Sequence, residues 1–359
     1  MTQAIIRLKF LKTAVVFSLM IGLLFAACKK DSTPPPPPAN KAELQAKVTV
    51  AQGLNDGTTE GTKPGQYEVG AKVTLKAALE AAKIVLAKTN ATQAEVNNAA
   101  ANLQGAIDAY GARLIKEIAS VNLIGFWKMN GNASDSSGKG NHGTLKQGHA
   151  YYGAGNAVLN ADRFGRANMA YKFDKGGNIE VPYSTAINPQ QMTISLWAKK
   201  SITGRTINAD TYTFVSMNRW NAYKFQLQSG NLTFLTVKAR QAAGDTAYYD
   251  RDNAGVALTN ETWYHVAVTF KPGQMDFYVN GDLVKSWTNT PGTPISIASK
   301  PINFVIGQDL PTDKYTTVDG DFQVAWGGFF TGDMDDVMFY NIALDGPQIK
   351  SIFTNQKTL

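Results

Sequence analysis

Apolar residues recur along this chain at two different periods, and the change falls near Ala119. Before it, Gly70 to Lys88 carries Val73, Ala77, Leu79, Ile84 and Leu86 near helical spacing, just after a Pro64-Gly65 break. Thr92, with Glu95 three residues on, forms a capping-box signature, and Val96, Ala99, Ala100, Leu103, Ile107, Tyr110 and Leu114 continue one helical face. A weaker helical pattern covers about Lys41 to Leu54. The spacing predicts a small three-helix bundle over 41–118, Ala-rich and nearly free of aromatics.

Beyond Ala119 the period shortens to that of strands. Short β-branched and aromatic runs appear at Ile124–Met129, Thr193–Ala198, Tyr223–Leu227, Leu232–Val237, Tyr264–Phe270, Met275–Val279, Phe304–Gly307 and Met334–Tyr340. Asn280-Gly281, between Tyr278-Val279 and Leu283-Val284, signals a two-residue hairpin, because a type I′ turn needs two residues that tolerate positive φ. Many short strands with no helices between them predict an all-β jelly-roll sandwich of two packed sheets over 119–359.

The first residues bear on compartment. Arg7, Lys9 and Lys12 precede an apolar run, Thr13 to Ala27, which stops at Cys28 and falls short of the roughly 20 residues a spanning helix needs. Residues 1–27 therefore read as a signal peptide. Cys28 is the only cysteine, so an intramolecular disulfide and a Cys-based zinc site are both excluded. Phe25-Ala26-Ala27-Cys28 resembles the lipobox of bacterial lipoproteins, although that family usually has Leu where Phe25 stands. The resemblance implies an acylated Cys28 and a membrane partner through the lipid anchor; the alternative is a cut nearby that leaves a free thiol. Pro34 to Pro38 favour polyproline II, a spacer of about 3 Å per residue, so 28–40 reads as a tether. The arrangement is similar to outer-membrane lipoproteins of the Bacteroidetes type, and implies an outer-membrane, cell-surface location. The formal charge of +7 falls to +4 once Arg7, Lys9 and Lys12 are removed. No basic run is interleaved with aromatics, so no nucleic-acid partner is expected.

Two resemblances follow from longer motifs. Gly65-Gln66-Tyr67, with Glu95-Val-Asn-Asn-Ala-Ala-Ala-Asn-Leu103, looks like the FIVAR-type helical modules of bacterial surface proteins, which implies a spacer or a weak binding module; with so few aromatics, a spacer is expected. Leu123-Ile-Gly-Phe-Trp-Lys-Met-Asn130 and Asp135-Ser-Ser-Gly-Lys-Gly-Asn-His-Gly-Thr-Leu145 resemble the opening of bacterial laminin-G-like, concanavalin A-like lectin/glucanase domains. Met192–Ala198, Trp263–Phe270 with Phe277–Gly281, and Gly332–Leu344 resemble that family's middle and closing segments, in order. The resemblance implies a carbohydrate-binding jelly roll, often with calcium as a structural cofactor.

Function must still be argued from sites. A retaining glycosidase needs two carboxylates about 5.5 Å apart. The sandwich has only two glutamates, Glu180 and Glu261, in unrelated segments, so the expectation is not an enzyme. Asp333, Asp335 and Asp336 are the densest acids but lie where the family closes its fold. Of the histidines, His142, His149 and His265, the last sits inside a core-strand motif. For calcium, which takes six to eight oxygens, the candidates are Asp135, Asn141 and Asp335. Period-two alternation places Asp335 on the side of Val337 and Phe339. The other reading of Asp135 and Asn141 is that they make Asx turns.

Glycan binding needs an aromatic platform with a few polar groups. Trp127, Trp197 and Trp263 fall on core-strand motifs and are assigned to structure. Trp220, Trp287 and Trp326 lie in segments that the family it resembles leaves variable. The candidate ligand-binding residues are Trp220 with Arg219, Trp326, and the polar-aromatic loop of Tyr248 and Tyr249. The expected role is non-catalytic capture of polysaccharide or other glycan at the cell surface, which admits outer-membrane transport or glycan-utilisation partners. The alternative is a protein-adhesion or cell-envelope scaffold with no sugar site.

Overall fold

The computed structural model describes residues 37–202, 212–228, 231–316, 322–324 and 328–358. Cys28, the segment around it, and Trp326 lie outside the described residues. Three helices come first: α1 (Ala42–Gly57), α2 (Ala71–Ala87) and α3 (Gln93–Gly111). Leu44, Val48, Leu75, Leu79, Val96, Leu103 and Tyr110 pack between them. At the start of α3 the Glu95 N–H donates to Thr92 Oγ1 (3.2 Å) and the Thr92 N–H donates to Glu95 Oε2 (2.8 Å), so the capping box forms. The buried face of α2 is Ala71, Leu75, Leu79 and Ala82, while Val73 and Ile84 are exposed. Hydropathy favoured the bulkier pair, but at 100° per residue they sit well round the helix from a face whose alanines permit close packing. A short parallel ladder of β1 (Glu60–Gly61) and β2 (Tyr67–Glu68) leads into α2, and Tyr67 stacks on Tyr110 at 4.1 Å between centroids.

The remaining strands are β3 (Leu123–Trp127), β4 (Thr144–Lys146), β5 (Val158–Asn160), β6 (Ala170–Phe173), β7 (Asn178–Val181), β8 (Met192–Lys200), β9 (Tyr212–Met217) and β10 (Tyr223–Gln228). They continue with β11 (Leu232–Arg240), β12 (Thr246–Ala257), β13 (Trp263–Lys271), β14 (Gln274–Val279), β15 (Asp282–Trp287), β16 (Thr293–Pro294), β17 (Phe304–Ile306) and β18 (Gly332–Tyr340). They form two antiparallel eight-stranded sheets. One runs β12-β11-β10-β9-β17-β7-β4, with β16 beside β11. The other runs β15-β14-β13-β8-β18-β6-β5, with β3 also paired to β18. Asn280 and Gly281 both have positive φ (51° and 77°) between the paired residues Val279 and Asp282, which is the expected hairpin.

The inner faces of both sheets, among them Trp127, Phe173, Phe225, Phe270, Phe304 and Phe339, bury one core. The outer faces differ. A last helix, α4 (Gly346–Gln356), capped by Asp345 with Gln348, covers the β8/β13/β14/β18 face through Leu344, Ile349 and Ile352. Thr62 of the helical unit is tied to that same helix: its carbonyl accepts from Ser351 Oγ (2.6 Å) and from Asn355 Nδ2 (3.2 Å). Among the described residues no α-helix covers the outer face of β10, β11 and β12.

Candidate functional site

In β10 and β11 the odd-numbered residues Tyr223, Phe225, Leu227, Leu235 and Val237 point into the core. Strand alternation therefore turns Lys224, Gln226, Gln228, Phe234 and Thr236 to the outer face. The register sets them in rows. Lys238 faces Tyr248 in one row, Lys224, Thr236 and Asp250 share the next, and Gln226 faces Phe234 in the third. Trp220, half-buried, leans over this face from the β9–β10 turn, with the Lys224 ammonium 5.6 Å from its ring centroid. Together Trp220, Phe234, Tyr248, Thr236, Asp250 and the β10 side chains line an open groove of about 540 Å³. That volume lies within the ~300–1,000 Å³ usual for small-ligand sites. Two strand spacings, about 10 Å, separate β10 from β12, so the rings form a broad floor with walls.

The turn carrying Trp220 is held in an uncommon shape. Asn218 and Arg219 both have φ of 54°, a left-handed conformation that Asn tolerates and Arg adopts at a cost of roughly 1–2 kcal/mol. The Arg219 guanidinium, fully buried, donates from Nε to Asp309 Oδ2 (2.7 Å) and from Nη2 to the Gln323 carbonyl (2.9 Å). Tyr315 donates its hydroxyl to the other Asp309 oxygen, and burial together with the Asp309 charge pushes that phenol's pKa well up. Arg219 was expected at the ligand; the structure makes it the anchor under the turn instead, because its charge finds a buried carboxylate. Tyr249 is likewise corrected: it points inward with the core, and only Tyr248 of the pair faces the groove. Their segment is the strand β12 rather than a loop. Phe234 was missed; its signal is a large apolar ring on the phase of β11 that strand alternation reserves for polar residues.

The three calcium candidates are not brought together. Asp135 takes N–H donors from Phe126 (2.9 Å), Ser137 (2.8 Å) and Asn141 (3.0 Å), plus the Ser137 hydroxyl (2.8 Å). Burial opposes its ionisation, yet these donors hold the carboxyl below the ordinary range. The Asn141 side-chain amide donates to the Ile124 carbonyl (2.7 Å), and its backbone carbonyl accepts from Trp127 Nε1 (2.9 Å). This loop is an Asx turn that orients Trp127. Asp335 sits on the outer face beneath α4, not with Val337. Asp336, at φ 48°, forms a bulge that shifts the alternation by one residue, which is why the expected side was wrong. The Arg163 guanidinium pairs with Asp335, with Asp336 (2.9 Å) and with the Gln356 carbonyl at the end of α4 (2.7 Å from Nη2), and lies 4.7 Å from the Trp197 ring. Among the described residues no group of three or more His, Cys, Asp or Glu is placed to hold a metal. The donors Asp135 and Asp335 are spent on N–H groups and a guanidinium, so this set does not fit calcium.

The other sequence candidates are structural or peripheral. Trp197 packs on Phe353 (5.7 Å) and its indole N–H donates to Gln356 (3.0 Å). Trp263 lies under Lys199 (5.5 Å) and Trp287 donates to the Asp252 carbonyl (2.9 Å). His142 and His149 accept backbone N–H bonds, while His265 is buried beside Ser195 Oγ at 2.9 Å. A second hollow, about 480 Å³, lies between the helical unit and α4, lined by Arg113, Leu283 and Lys350 among others, with no aromatic ring among its lining residues. Among the described residues, the only carboxylate lining the aromatic groove is Asp250.

Two face-packed antiparallel sheets of eight strands each define a jelly-roll-like β-sandwich. Residues 173–350 match the family model described as the concanavalin A-like lectin/glucanases superfamily, so this chain carries a domain of that superfamily. One curated relative, a gellan lyase from Bacillus sp., is 44% identical over 77 residues; the match takes in 21% of this chain and 3% of that protein's length. Among solved structures, domain 4 of the extracellular arabinanase AbnA from Geobacillus stearothermophilus, solved with arabinotriose, is 21% identical. It covers 64% of this chain and 98% of that one, at a TM-score of 0.48. The binding domain of Paraclostridial Mosquitocidal Protein 1 is 16% identical, with 66% and 52% covered and a TM-score of 0.44. No described helix is long and apolar enough to cross a membrane.

Proposed function

We propose that this protein is a non-catalytic glycan-binding protein, held at the outer-membrane surface through an acylated Cys28, with the proline run and helical unit as spacer. The observation that carries the reading is the groove: Trp220, Phe234 and Tyr248 converge on one open sheet face, with amide, hydroxyl and carboxylate groups in rows between them. Sugar rings present apolar C–H faces that stack on such rings, and hydroxyls that take planar polar partners. The superfamily's description, which joins lectins to glucanases, agrees with a sugar ligand. Capture rather than cleavage is favoured by the single carboxylate, Asp250, among the described lining residues, since bond cleavage by the two-carboxylate route requires a pair. The helical unit meets α4 on the far sheet, so a tether there leaves the groove free.

Affinity electrophoresis of the purified protein through gels containing a panel of plant, algal and host polysaccharides tests the reading. Retardation by at least one polymer, abolished in Trp220→Ala with Phe234→Ala, is expected. Absence of retention across the panel, or retention unchanged in the double variant, would overturn it. Labelling with a fatty-acid analogue in cells, lost in Cys28→Ser, tests the anchor separately.

A further inference from the structure

Lys224 stands in the floor of the groove with 6% of its surface exposed. Among the described residues the other buried cations of the sandwich have oxygen partners: Arg163 has Asp335 and Asp336, Arg219 has Asp309, and Lys200 bonds to Asn231. Among the described residues Lys224 has no carboxylate within ion-pair distance. Its ammonium lies 5.6 Å from the Trp220 ring centroid, and Asp250, exposed, stands two strands away across Thr236. A largely buried ammonium without a paired carboxylate is costly, and the Trp220 ring and the longer-range Asp309 and Asp250 charges offset only part of that cost. Beside it, Gln226 Oε1 is also buried without a hydrogen-bond partner, while its amide nitrogen donates to Gln228 (3.1 Å). A cation without a paired carboxylate and an orphaned acceptor thus share the floor, next to a stacking ring.

Building on the glycan reading above, we infer that the groove selects an acidic glycan. A ring-borne anion, uronate carboxylate or sulfate ester, pairs with the Lys224 ammonium while a neighbouring hydroxyl donates to Gln226 Oε1. Burial lowers the Lys224 pKa from the ordinary lysine range, and the Asp309 and Asp250 charges only partly oppose the shift. Replacing Lys224 by methionine, of similar length, removes an incompletely compensated buried charge and should raise thermal stability while costing affinity, two effects that a structural lysine would not separate.

The test compares the parent protein with Lys224→Met and Lys224→Gln, by affinity electrophoresis at physiological salt. The gels contain alginate (carboxylate only), dextran sulfate (sulfate only), or the neutral polymers laminarin and arabinan, and thermal melts run in parallel. Retention by alginate or by dextran sulfate identifies the source of the anion. It should weaken roughly ten- to a hundredfold in both variants, with a melting temperature equal to or above the parent's. Retention confined to neutral polymers and unchanged in the variants would overturn the acidic-glycan inference and leave glycan binding standing. A lower melting temperature with binding intact would overturn it too, by making Lys224 structural. No retention on any of the four gels would likewise overturn it, and the wider polysaccharide panel then decides whether glycan binding falls as well.

Discussion

The groove depends on a buried charge pair that touches no ligand. Asp309→Asn keeps the shape of the side chain and deletes the charge facing Arg219, whose guanidinium and partner carboxylate are both fully buried at 2.7 Å. Removing one member of a buried pair leaves the other uncompensated, at a cost of about 3–5 kcal/mol. In a domain of this size 1 kcal/mol moves the melting temperature about 2–4 °C, so the expected fall is roughly 6–20 °C. Arg219→Met with Asp309→Leu removes both charges. That double variant still leaves the Tyr315 hydroxyl and the Gln323 carbonyl short of a partner, at ~1–3 kcal/mol each. The cycle of Arg219→Met, Asp309→Leu and their double should therefore show a coupling of about 2 kcal/mol or more rather than zero. Because Arg219 also holds the turn in its left-handed shape, Asp309→Asn should release Trp220 and weaken glycan retention even well below the melting temperature. Denaturant and thermal melts of the four proteins of the cycle and of Asp309→Asn provide the assay. Additive effects, or a single-variant loss under about 1 kcal/mol, would refute the anchoring role.

Further expectations follow from other parts of the molecule. His265 is held neutral, its pKa pushed down to about 3 chiefly by burial, with Arg163 and Lys350 adding to it. The unfolded chain takes up that proton near pH 6.5, so the contribution is fully present above that pH and is lost as pH falls. At pH 5 the loss is about 2 kcal/mol, and melts of His265→Gln should flatten the decline between pH 7 and 5. Single alanines at Trp220, Phe234 and Tyr248 should each weaken glycan binding by about 1–2 kcal/mol, roughly five- to thirtyfold, with melting temperature nearly unchanged for exposed Tyr248. Millimolar calcium against chelator should leave the melting temperature within about 1 °C, because a site occupied at 100 times its Kd would add about 2.7 kcal/mol; a rise of several degrees would contradict the assignment of the Asp135 loop as an Asx turn. Thr92→Ala should cost the helical unit about 1 kcal/mol through loss of its cap, measurable by urea unfolding.

Periodic features were the legible ones. The strands from Thr193, Tyr223, Leu232, Tyr264, Met275 and Met334 show their alternation, and Asn280-Gly281 and Thr92-Glu95 carry local chemistry that leaves little choice. What escaped depended on contacts far apart in sequence. The bulge at Asp336 inverts the face of Asp335, and nothing local to that segment announces a partner at Arg163. Arg219 looks like a ligand residue beside Trp220 until Asp309, ninety positions on, is placed against it. β12 reads as a loop because Asp250, Arg251, Asp252 and Asn253 are poor strand formers, yet a sheet edge tolerates charges and turns Tyr248 outward. α4 went unpredicted although Asp345-Gly346-Pro347-Gln348 carries a cap signature, with Pro at the helix start.

The account rests on sugar lying across the outer face of β10, β11 and β12. The most direct measurement is backbone and tryptophan side-chain NMR of the isotope-labelled protein, titrated with an oligosaccharide that the polysaccharide panel has identified. Shift changes should concentrate on the Trp220 indole and on residues 224–228, 234–236 and 248–250. Changes centred instead on Arg113, Leu283 and Lys350, or spread over the helical unit with those residues silent, would contradict the assignment of the site.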